Sequence, residues 1–343
     1  MRILFLNHDL SPYTGAGRFF IFLTSTLKHL MPDVSIKVAT SEDLISPNKF
    51  RLLLNFPKIL KMAGGSDLIH ALDGWPYGFI GALCAALSRK KLVITAVGTG
   101  GVKPLYNFWQ KPLLKWAYRR ADKLVAVSRH TRDEILKVVP SLNIEVINHG
   151  VDVGKYQVSS IKYSVSGQIK PYILSVGAWK RRKGFEHSIA AFDLLKKQHP
   201  NLSYAILCNP SAEIKAKYPQ VSFVGGFSES ALVTLYKNAE LFILLPQDDN
   251  KDIEGFGLIY LEAAAAGLPV IGAKSTSAED AVLEGKNGIL VDGQNPEEAA
   301  WAMEKILSNP ELRDRMSKEP LEFAKLMTWE KAAEAYKKVY ASI

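Results

Sequence analysis

The sequence has little cysteine and no long hydrophobic run. Its two cysteines, Cys84 and Cys208, lie far apart in apolar segments, which favours small buried side chains in a reducing compartment over a disulfide or a metal site. The longest uncharged apolar stretch runs from Gly78 to Leu87 and is about half as long as a bilayer span. The apolar run at residues 3–6 is too short for a secretory signal. These absences predict a cytoplasmic protein without a membrane-spanning helix.

Acidic residues are scarce in the first half of the chain. Residues 1–150 contain 20 Lys and Arg against 10 Asp and Glu, whereas residues 151–343 contain 23 against 24. The net charge of +9 therefore resides in the first half. Between Gly74 and Ala121 there are eight basic residues and no acidic one. Such one-sided charge predicts an anionic partner, and the composition leaves open phosphates, an acidic membrane surface or nucleic acid.

Length and hydrophobic patterning predict two α/β domains. The chain has 343 residues, 48% of them hydrophobic, which excludes disorder. Short apolar runs alternate with amphipathic ones, as in doubly wound parallel sheets, whose ligands lie at the carboxyl ends of the strands, here facing a central cleft. The alternation pauses in the polar stretch 153–170, which we interpret as a linker. The pattern predicts strands at 3–7, 34–39, 67–71, 92–96, 123–127, 144–147, 172–176, 204–207, 241–245 and 270–271, and helices at 17–30, 77–87, 105–120, 131–138, 185–198, 228–238, 258–266, 296–307, 311–326 and 329–341.

The strongest motif is Glu254-Gly255-Phe256-Gly257-Leu258, which leads into a predicted helix that contains Glu262. Glycines allow backbone N–H groups to approach a ligand closely, and the N-terminus of the helix behind them favours an anion. Glu262, inside the helix, is placed to hydrogen-bond a ribose diol. Glu254, before the turn, is placed to bind a sugar hydroxyl or to steady the loop.

A second motif, Gly177-Ala178-Trp179-Lys180-Arg181-Arg182-Lys183-Gly184, follows the predicted strand at 172–176. Four consecutive cations in a turn at the carboxyl end of a strand are suited to neutralising a diphosphate. A solvated basic loop is the alternative interpretation.

At these motifs the sequence resembles the retaining glycosyltransferases of family 4, which have the GT-B fold. Their signature of two glutamates separated by seven residues, followed by Ala-x-x-x-Gly-x-Pro-Val, matches Glu254 to Val270. The stretches Ala121–Ser128 and Ile147–Asp152 also resemble family motifs, with His149 at a position where the family usually has Asn. The resemblance covers nearly the whole chain.

The resemblance implies a GT-B architecture of two Rossmann-like domains. Residues 1–152 would form the acceptor domain, 153–170 the linker and 171–325 the nucleotide-sugar domain, while the helix at 326–343 would cross back to the first domain. The donor-binding residues would be Gly15, Gly17, Arg181, Arg182, Lys183, Glu254, Gly255, Phe256, Gly257, Leu258 and Glu262. Lys183, Glu254 and Asp73 would act in catalysis, as in a hexosyltransferase-like enzyme without a metal or other cofactor.

Two departures from the family pattern concern the phosphate site and catalysis. Ala178 replaces an arginine, and we expect Arg181 or Arg182 to reach the phosphate instead. Val97 stands where many relatives have a histidine assigned a catalytic role. A degenerate, non-catalytic nucleotide-sugar-binding protein would explain both departures and is the main alternative to an enzyme.

The glycines in Thr14-Gly15-Ala16-Gly17-Arg18 follow the first predicted strand. A glycine turn between a strand and a helix can place a phosphate or an acceptor on backbone amides, and in the family a Gly pair here lies near the donor diphosphate. A tight turn without a ligand is equally compatible with the sequence. The third glycine of the dinucleotide fingerprint is replaced by Phe20, which argues against an oxidoreductase.

The acceptor side is predicted from Asp67-Leu68-Ile69-His70-Ala71-Leu72-Asp73, which resembles a family pattern with two histidines, the second replaced by Leu72. Asp73 is the best-placed carboxylate to take or orient an acceptor proton. The alternatives are a helix cap for Asp73 and a core histidine for His70. Thr99, in the loop after the next strand, completes the predicted acceptor side.

Two charged stretches lie outside the family motifs. The acidic run at 248–252 lacks the spacing of a calcium loop, so no metal site is predicted. The stretch 103–120 interleaves aromatic and basic residues, and Trp109, Leu113 and Trp116 share one face of the predicted helix. The stretch predicts an anionic membrane surface, with a solvated basic face as the alternative.

The residues together predict a retaining glycosyltransferase. It would move a sugar from a nucleotide-diphosphate sugar to the hydroxyl of a glycan or lipid-linked acceptor, in the cytoplasm or on the cytoplasmic face of the membrane. No nucleic-acid recognition motif is present, so nucleic acid is not expected as a partner.

Overall fold

The structure is a computed structural model, and it describes residues 1–7, 9–12, 14–40, 49–157 and 171–343. Within these residues, contacts divide the chain into two compact units. The first comprises Met1–His149, Asn250–Phe256 and Trp329–Ile343. The second comprises Gly150–Asp249 and Gly257–Thr328. Most of the predicted linker, residues 158–170, lies outside the described residues.

The first unit contains a six-stranded parallel sheet covered by helices. Its four inner strands are largely buried apolar runs, as expected for a sheet covered on both faces; all five residues of the strand at Leu68–Leu72 are buried. The strands are β1 (Arg2–Leu6), β2 (Ser35–Ala39), β3 (Leu68–Leu72), β4 (Lys91–Ala96), β5 (Lys123–Ala126) and β6 (Ile144–Val146), in the order β2-β1-β3-β4-β5-β6. The helices are α1 (Gly15–Leu30), α2 (Lys49–Gly64), α3 (Phe79–Ser88), α4 (Thr99–Val102), α5 (Gln110–Arg120) and α6 (Arg129–Leu136).

The second unit repeats this plan with a second six-stranded parallel sheet. Its strands are β7 (Tyr172–Val176), β8 (Ser203–Leu207), β9 (Val221–Phe223), β10 (Leu241–Ile243), β11 (Val270–Ala273) and β12 (Gly288–Val291), in the order β12-β11-β10-β7-β8-β9. Its helices are α7 (Val153–Gln157), α8 (Phe185–Lys196), α9 (Ala212–Lys217), α10 (Glu229–Asn238), α11 (Leu258–Ala265), α12 (Pro296–Leu307) and α13 (Pro310–Leu326). The predicted α/β class with two doubly wound sheets is confirmed.

The last helix, α14 (Trp329–Ala341), belongs to the first unit. Its Trp329 ring stacks on Phe22 of α1 with centroids 5.3 Å apart. At its other end, the Tyr340 hydroxyl is hydrogen-bonded to His70 of β3. Aromatic packing and this buried hydrogen bond therefore attach the end of the chain to the first sheet.

The predicted helix at 105–120 is wrong in its extent. A short 3-10 turn at Lys103–Tyr106 is followed by a break, and α5 begins only at Gln110. The break has a local cause, because the Asn107 side chain accepts hydrogen bonds from the backbone N–H groups of Trp109 and Gln110. The buried side chains of α5 are Leu114, Ala117 and Tyr118, whereas both tryptophans of the predicted common face are exposed.

Candidate active site

The basic turn after β7 places one lysine against a glycine. Gly177 has φ +146°, and a Cβ there would lie 3.3 Å from Lys183 Cε and 3.6 Å from Lys183 Nζ. Lys183 is buried, and Gly184 after it approaches the Leu245 carbonyl so closely that a Cβ would lie 1.7 Å from that oxygen. Gly177 is favoured by its positive φ and Gly184 is required sterically, so this turn brings Lys183 to the carboxyl end of the central strand.

The two arginines of this turn have different environments. The Arg181 side chain is 82% exposed and lies 3.8 Å from an Asp249 carboxylate oxygen. Arg182 is half-buried, and its carbonyl accepts a hydrogen bond from Gln247 N at 2.8 Å, which joins the turn to the end of β10. Arg181 and Asp249 also line an open pocket of about 350 Å³ together with Trp179 and Gln247. The sequence did not decide which of the two arginines reaches the phosphate. Arg182 is the more buried of the two and has a hydrogen-bonded backbone, whereas the Arg181 side chain is largely exposed.

The glycine turn before α11 and the glutamate within this helix both belong to the second unit. Gly257 caps α11 with φ +81°, and a Cβ there would lie 2.7 Å from the Tyr260 ring, so only glycine fits. Glu262 is buried, and its Oε2 accepts a hydrogen bond from the Tyr236 hydroxyl at 3.2 Å. This bond fixes the orientation of the carboxylate that the sequence assigns to a ribose.

The segment before Gly257, which carries Glu254, belongs to the first unit instead. The Gly255 carbonyl accepts hydrogen bonds from Ser128 Oγ at 2.6 Å and Thr131 Oγ1 at 3.2 Å, both at the start of α6. Thr99 Oγ1 lies 2.6 Å from an Asp252 carboxylate oxygen and 2.9 Å from the Ile253 carbonyl. Hydroxyl groups after β4 and β5 thus fix the backbone on both sides of Glu254.

This arrangement differs from the predicted domain 171–325, which placed the whole signature in one domain. The two glutamates are divided, with Glu254 in the first unit and Glu262 in the second. The hydrogen bonds responsible join residues more than 120 positions apart in the chain, so local sequence carries no sign of them. Thr99, predicted on the acceptor side, uses its hydroxyl to hold this segment.

Asp73 follows β3 and sits in a strained backbone conformation with φ 131°. Its Oδ1 accepts a hydrogen bond from Gly74 N at 2.7 Å and a longer one from Val97 N at 3.4 Å. Its Oδ2 lies over Gly100, where a Cβ would be 1.9 Å away. Burial raises the pKa of this carboxyl to about 7, although the two amide contacts act in the opposite direction. A carboxyl with this pKa is suited to exchanging a proton near neutral pH.

Val97 links Asp73 to the Glu254 segment. Its N–H faces Asp73, and its carbonyl oxygen lies 3.0 Å from the position that a Cβ on Gly255 would take. Gly98 is equally close, since a Cβ there would lie 2.6 Å from Gly255 Cα. The backbone segments that carry Asp73, Val97 and Gly255 therefore lie close together in the first unit. Val97 occupies the position at which many relatives have a histidine.

His70 lies in the core of the first unit. Its Nδ1 is 2.7 Å from the Tyr340 hydroxyl, and its Nε2 is 2.8 Å from Thr95 Oγ1. Burial lowers the pKa of His70 to about 3, so the ring is neutral. This is the core-histidine alternative, because the ring is fully buried and both nitrogens have partners.

The glycine pair at the start of α1 divides into two cases. Gly17 N donates to Thr14 Oγ1 at 3.1 Å, and a Cβ on Gly17 would lie 2.1 Å from the Ser11 carbonyl oxygen. Gly17 is therefore explained by close packing and by the cap of α1. For Gly15, none of the described residues places an atom within 4 Å of a Cβ position apart from its chain neighbours and its own helix backbone, so packing does not explain this glycine.

Sequence reasoning assigned no role to His149, the last residue of the first segment. Its ring stacks on Phe19 with centroids 4.3 Å apart and also contacts Phe256 at 5.3 Å and Trp329 at 5.8 Å. Neither ring nitrogen has a hydrogen-bond partner among the described residues, and burial lowers the pKa of His149 to about 3. The signal in the sequence is the replacement of the family's usual asparagine by this histidine.

Two kinds of feature are absent from the part of the chain that the structure describes. No group of three or more His, Cys, Asp or Glu side chains there is arranged to hold a metal ion. None of the helices described is both long and apolar enough to cross a membrane.

The chain has two α/β units, each with a parallel sheet, together with a glutamate signature and a buried lysine in a basic turn. These features are those of a glycosyltransferase of the GT-B type. Two family models match the chain, "Glycosyltransferase Family 4" over residues 21–155 and "Glycosyl transferases group 1" over residues 161–320. The chain belongs to the family 4 glycosyltransferases, as its motifs predict.

Individual relatives are distant. An uncharacterised glycosyltransferase of Methanocaldococcus jannaschii is 25% identical over 86% of this chain and 82% of its own. The GDP-mannose-dependent alpha-(1-6)-phosphatidylinositol monomannoside mannosyltransferase of Mycolicibacterium smegmatis is 26% identical over 68% of this chain and 65% of its own. The crystal structure of Anabaena HepE, solved with UDP and glucose, matches with a TM-score of 0.80 over 100% of both chains, at 18% identity.

Proposed function

We propose that this glycosyltransferase moves a hexosyl group from a nucleotide-diphosphate sugar to an acceptor hydroxyl, with retention of the anomeric configuration. The observation that carries the proposal is the Gly177–Lys183 cradle, a buried ammonium group held at the end of the central strand of the second unit. A cation held at the carboxyl end of a parallel strand is suited to binding an anion, and a diphosphate is such an anion. The bound UDP and glucose of the HepE structure support the same donor class.

Each donor group has a candidate partner. Lys183 and Arg182 would bind the diphosphate, and Arg181 would add a more exposed cation. Glu262, oriented by Tyr236, would accept hydrogen bonds from the ribose hydroxyls. Glu254 and the backbone amides of Gly255–Leu258 would bind the transferred sugar.

The reaction balances without a redox partner. The bond between the anomeric carbon and the diphosphate oxygen breaks, and the acceptor oxygen forms a new bond to that carbon on the same face. The nucleoside diphosphate departs with the electron pair, and the acceptor proton passes to Asp73 or to the departing phosphate. Stabilisation of the leaving group by Lys183 would be the largest contribution of the protein. Since fixed cations can neutralise this charge, the proposal includes transfer without a metal ion.

Asp73 is proposed as the acceptor-side carboxylate. Its pKa of about 7 leaves a substantial ionised fraction at neutral pH, and its Oδ2 lies over Gly100, where no side chain intervenes. An acceptor hydroxyl hydrogen-bonded there would be oriented and would become more nucleophilic. For the acceptor itself we propose a lipid-linked or cell-envelope glycan, which the phosphatidylinositol mannoside named for the mycobacterial relative supports.

The test begins with a panel of nucleotide-diphosphate sugars in a thermal-shift assay. A bound donor should raise the melting temperature in proportion to the logarithm of its concentration over Kd. The selected donor is then incubated with candidate acceptors, with and without EDTA, and the anomeric configuration of the product is read by NMR. An inverted product would contradict retention, and loss of activity in EDTA would contradict metal independence. Donor binding without transfer or slow hydrolysis would identify a non-catalytic binding protein.

A further inference from the structure

The first unit exposes a cluster of aromatic rings that the sheet and helices do not cover. The Trp75 ring stacks on Phe79 with centroids 5.4 Å apart and meets Trp109 edge-on at 5.7 Å. Phe79 in turn meets Trp116 edge-on at 6.1 Å. Trp109 and Trp116 are 48% and 40% exposed, and Phe108 beside them is 96% exposed. We call these five residues the aromatic surface. So large an exposed apolar patch is characteristic of a binding surface.

The charges beside the aromatic surface have one sign. Lys111, Lys115 and Arg119 follow one another at four-residue intervals along α5 and so form one row on this helix. Lys103 is exposed on the preceding turn. No acidic residue occurs from Gly74 to Ala121, the stretch that contains the whole aromatic surface. The stretch that carries the aromatic surface therefore combines exposed aromatics with cations and contributes no carboxylate.

The aromatic surface is rigidly connected to Asp73. Trp75 is two residues beyond Asp73, and Gly74 between them packs on the buried Tyr118 of α5, whose hydroxyl would lie 2.3 Å from a Cβ on Gly74. The same hydroxyl donates to the Gly101 carbonyl at 2.7 Å. These contacts attach α5 to the turn after β3. The turn begins with the Asp73 carboxylate and continues into Trp75 of the aromatic surface.

We propose that the aromatic surface is a membrane-docking site, in which Phe108, Trp109 and Trp116 insert at the interface of an anionic bilayer and the α5 cations contact the lipid head groups. The complementary charge argues for this occupant, because aromatic side chains with a row of basic residues bind anionic interfaces without spanning them. Docking there would bring Asp73 near the sugar of a lipid-anchored acceptor. This last step rests on the proposed transferase function, whereas membrane binding itself does not.

The experiment compares vesicles of phosphatidylcholine with vesicles that also contain phosphatidylglycerol, using the full-length protein in co-sedimentation at low and physiological salt. We expect binding to the anionic vesicles only, and weaker binding as salt increases. Vesicles of brominated lipid should quench part of the tryptophan fluorescence, since three of the six tryptophans lie in the aromatic surface. Absence of binding to anionic vesicles at low salt would overturn the proposal.

Two pairs of variants separate insertion from charge. Phe108→Ala/Trp109→Ala should weaken binding by about tenfold and reduce the quenching, whereas Trp301→Ala, an exposed tryptophan of the second unit, should change neither. Lys111→Glu/Lys115→Glu should weaken binding by more than about twentyfold, and the control Lys286→Glu/Lys305→Glu by little. If the aromatic pair changed nothing, insertion would be refuted.

Two further measurements distinguish membrane docking from self-association and from misfolding of the variants. In analytical ultracentrifugation the parent should be as monomeric as the aromatic variant. If the parent self-associated and the aromatic variant did not, a second copy of the chain would cover the surface and the membrane proposal would fail. Thermal shifts with the donor should be equal in all variants. Vesicle binding without donor binding would contradict the proposed function and support the docking site. Donor binding without vesicle binding would support the proposed function and contradict the docking site.

Discussion

Each unit sets one ionisable group against a glycine at the carboxyl end of its sheet, and the two groups have opposite charge. In the second unit Lys183 lies against Gly177 after β7. In the first unit Asp73, after β3, lies over Gly100, at the start of the helix that follows β4. At Gly100 the missing Cβ provides the room that the Asp73 carboxylate occupies, because a Cβ would lie 1.9 Å from Oδ2, whereas at Gly177 a Cβ would only be in contact distance of the lysine side chain, 3.6 Å from Nζ.

The two groups differ in the chemistry that they offer to the proposed reaction. The Asp73 carboxyl is raised to a pKa of about 7, so it can gain and lose a proton in the working range. Lys183 offers a fixed cation, which suits a phosphate leaving group. Under the proposed function, Asp73 would exchange a proton in the first unit and Lys183 would neutralise charge in the second.

Removing the cation should have the largest effect. Lys183→Ala is expected to lower kcat by about 10²–10³-fold and to raise the donor KM less, because the leaving-group charge grows in the transition state. Steady-state kinetics measure both constants. Lys180→Ala, an exposed cation of the same turn, is the control and should reduce kcat only slightly. A defect confined to KM would show that Lys183 binds only the ground state.

Removing the proton acceptor should come next. Asp73→Asn keeps the size of the side chain and should slow transfer by about a hundredfold while leaving donor affinity unchanged. In the parent, the rate should rise with pH through about 7 as Asp73 ionises, and this rise should be absent in the variant. Unchanged transfer would mean that the donor phosphate takes the proton and that Asp73 only caps the turn at Gly74–Gly78.

Asp73→Asn should also change stability in a pH-dependent way. Since the pKa of Asp73 is raised on folding, its ionised form disfavours the folded state, and that penalty grows as pH rises from about 4 to about 7. The variant should therefore melt at a higher temperature than the parent at pH 8 and show no such gain near pH 3.5. A gain at both pH values would point to a cause other than ionisation.

The buried histidines of the first unit should make the protein sensitive to acid. Burial lowers the pKa of both His70 and His149 to about 3, so the unfolded chain, with ordinary histidines, binds protons first as pH falls below 6.5. Each should cost about 2 kcal/mol of unfolding free energy between pH 7 and pH 5. His149→Phe keeps the stacking on Phe19 and should reduce this loss by about half. Denaturant titrations at the two pH values measure it, and an equal loss in the variant would refute the assignment.

Local capping and periodicity account for the parts of the fold that the sequence predicts well. The helix at Pro296–Leu307 has the predicted bounds, because Asn295 caps it and a proline follows at its first position. The strand at Tyr172–Val176 is also as predicted, since it is a continuous buried apolar run. The short strands β9 and β12, with three and four residues, were missed because such brief runs give little periodic signal.

The candidate site depends more on contacts distant in sequence. The Lys183 turn and the Glu262 helix follow from local motifs, but the attachment of Gly255 to Ser128 and Thr131 joins distant segments through a backbone carbonyl, which no side-chain pattern encodes. The hydrogen bonds of Thr99 to Asp252 and Ile253 could not be predicted for the same reason. The start of α5 was misplaced because the Asn107 side chain forms a turn that interrupts the predicted helix.

Glu262→Ala tests the proposed contact between the second unit and the ribose of the donor. Its loss should weaken donor binding by about 1–3 kcal/mol, because the Tyr236 hydroxyl and the ribose would each lose a buried acceptor. Isothermal titration calorimetry with the donor gives the difference directly. Glu262→Gln, which retains one acceptor oxygen, should lie between parent and Ala variant. Equal donor affinity in all three proteins would remove Glu262 from the site.

The smallest effect should come from loosening the Glu254 segment. Thr131→Val removes one of the two hydroxyls that bind the Gly255 carbonyl, at 3.2 Å, and leaves the shorter bond from Ser128. A single lost hydrogen bond is worth about 1 kcal/mol, so kcat/KM should fall about fivefold. Thr24→Val is the matched control, a largely buried threonine of α1 whose hydroxyl bonds only within its own helix. Both variants should lose similar melting temperature, but only Thr131→Val should lose activity, and Thr131→Ser should restore it. Equal kinetics in the two valine variants would mean that the hydroxyl stabilises α6 without positioning Glu254, and the first unit would then contribute Asp73 alone to the reaction.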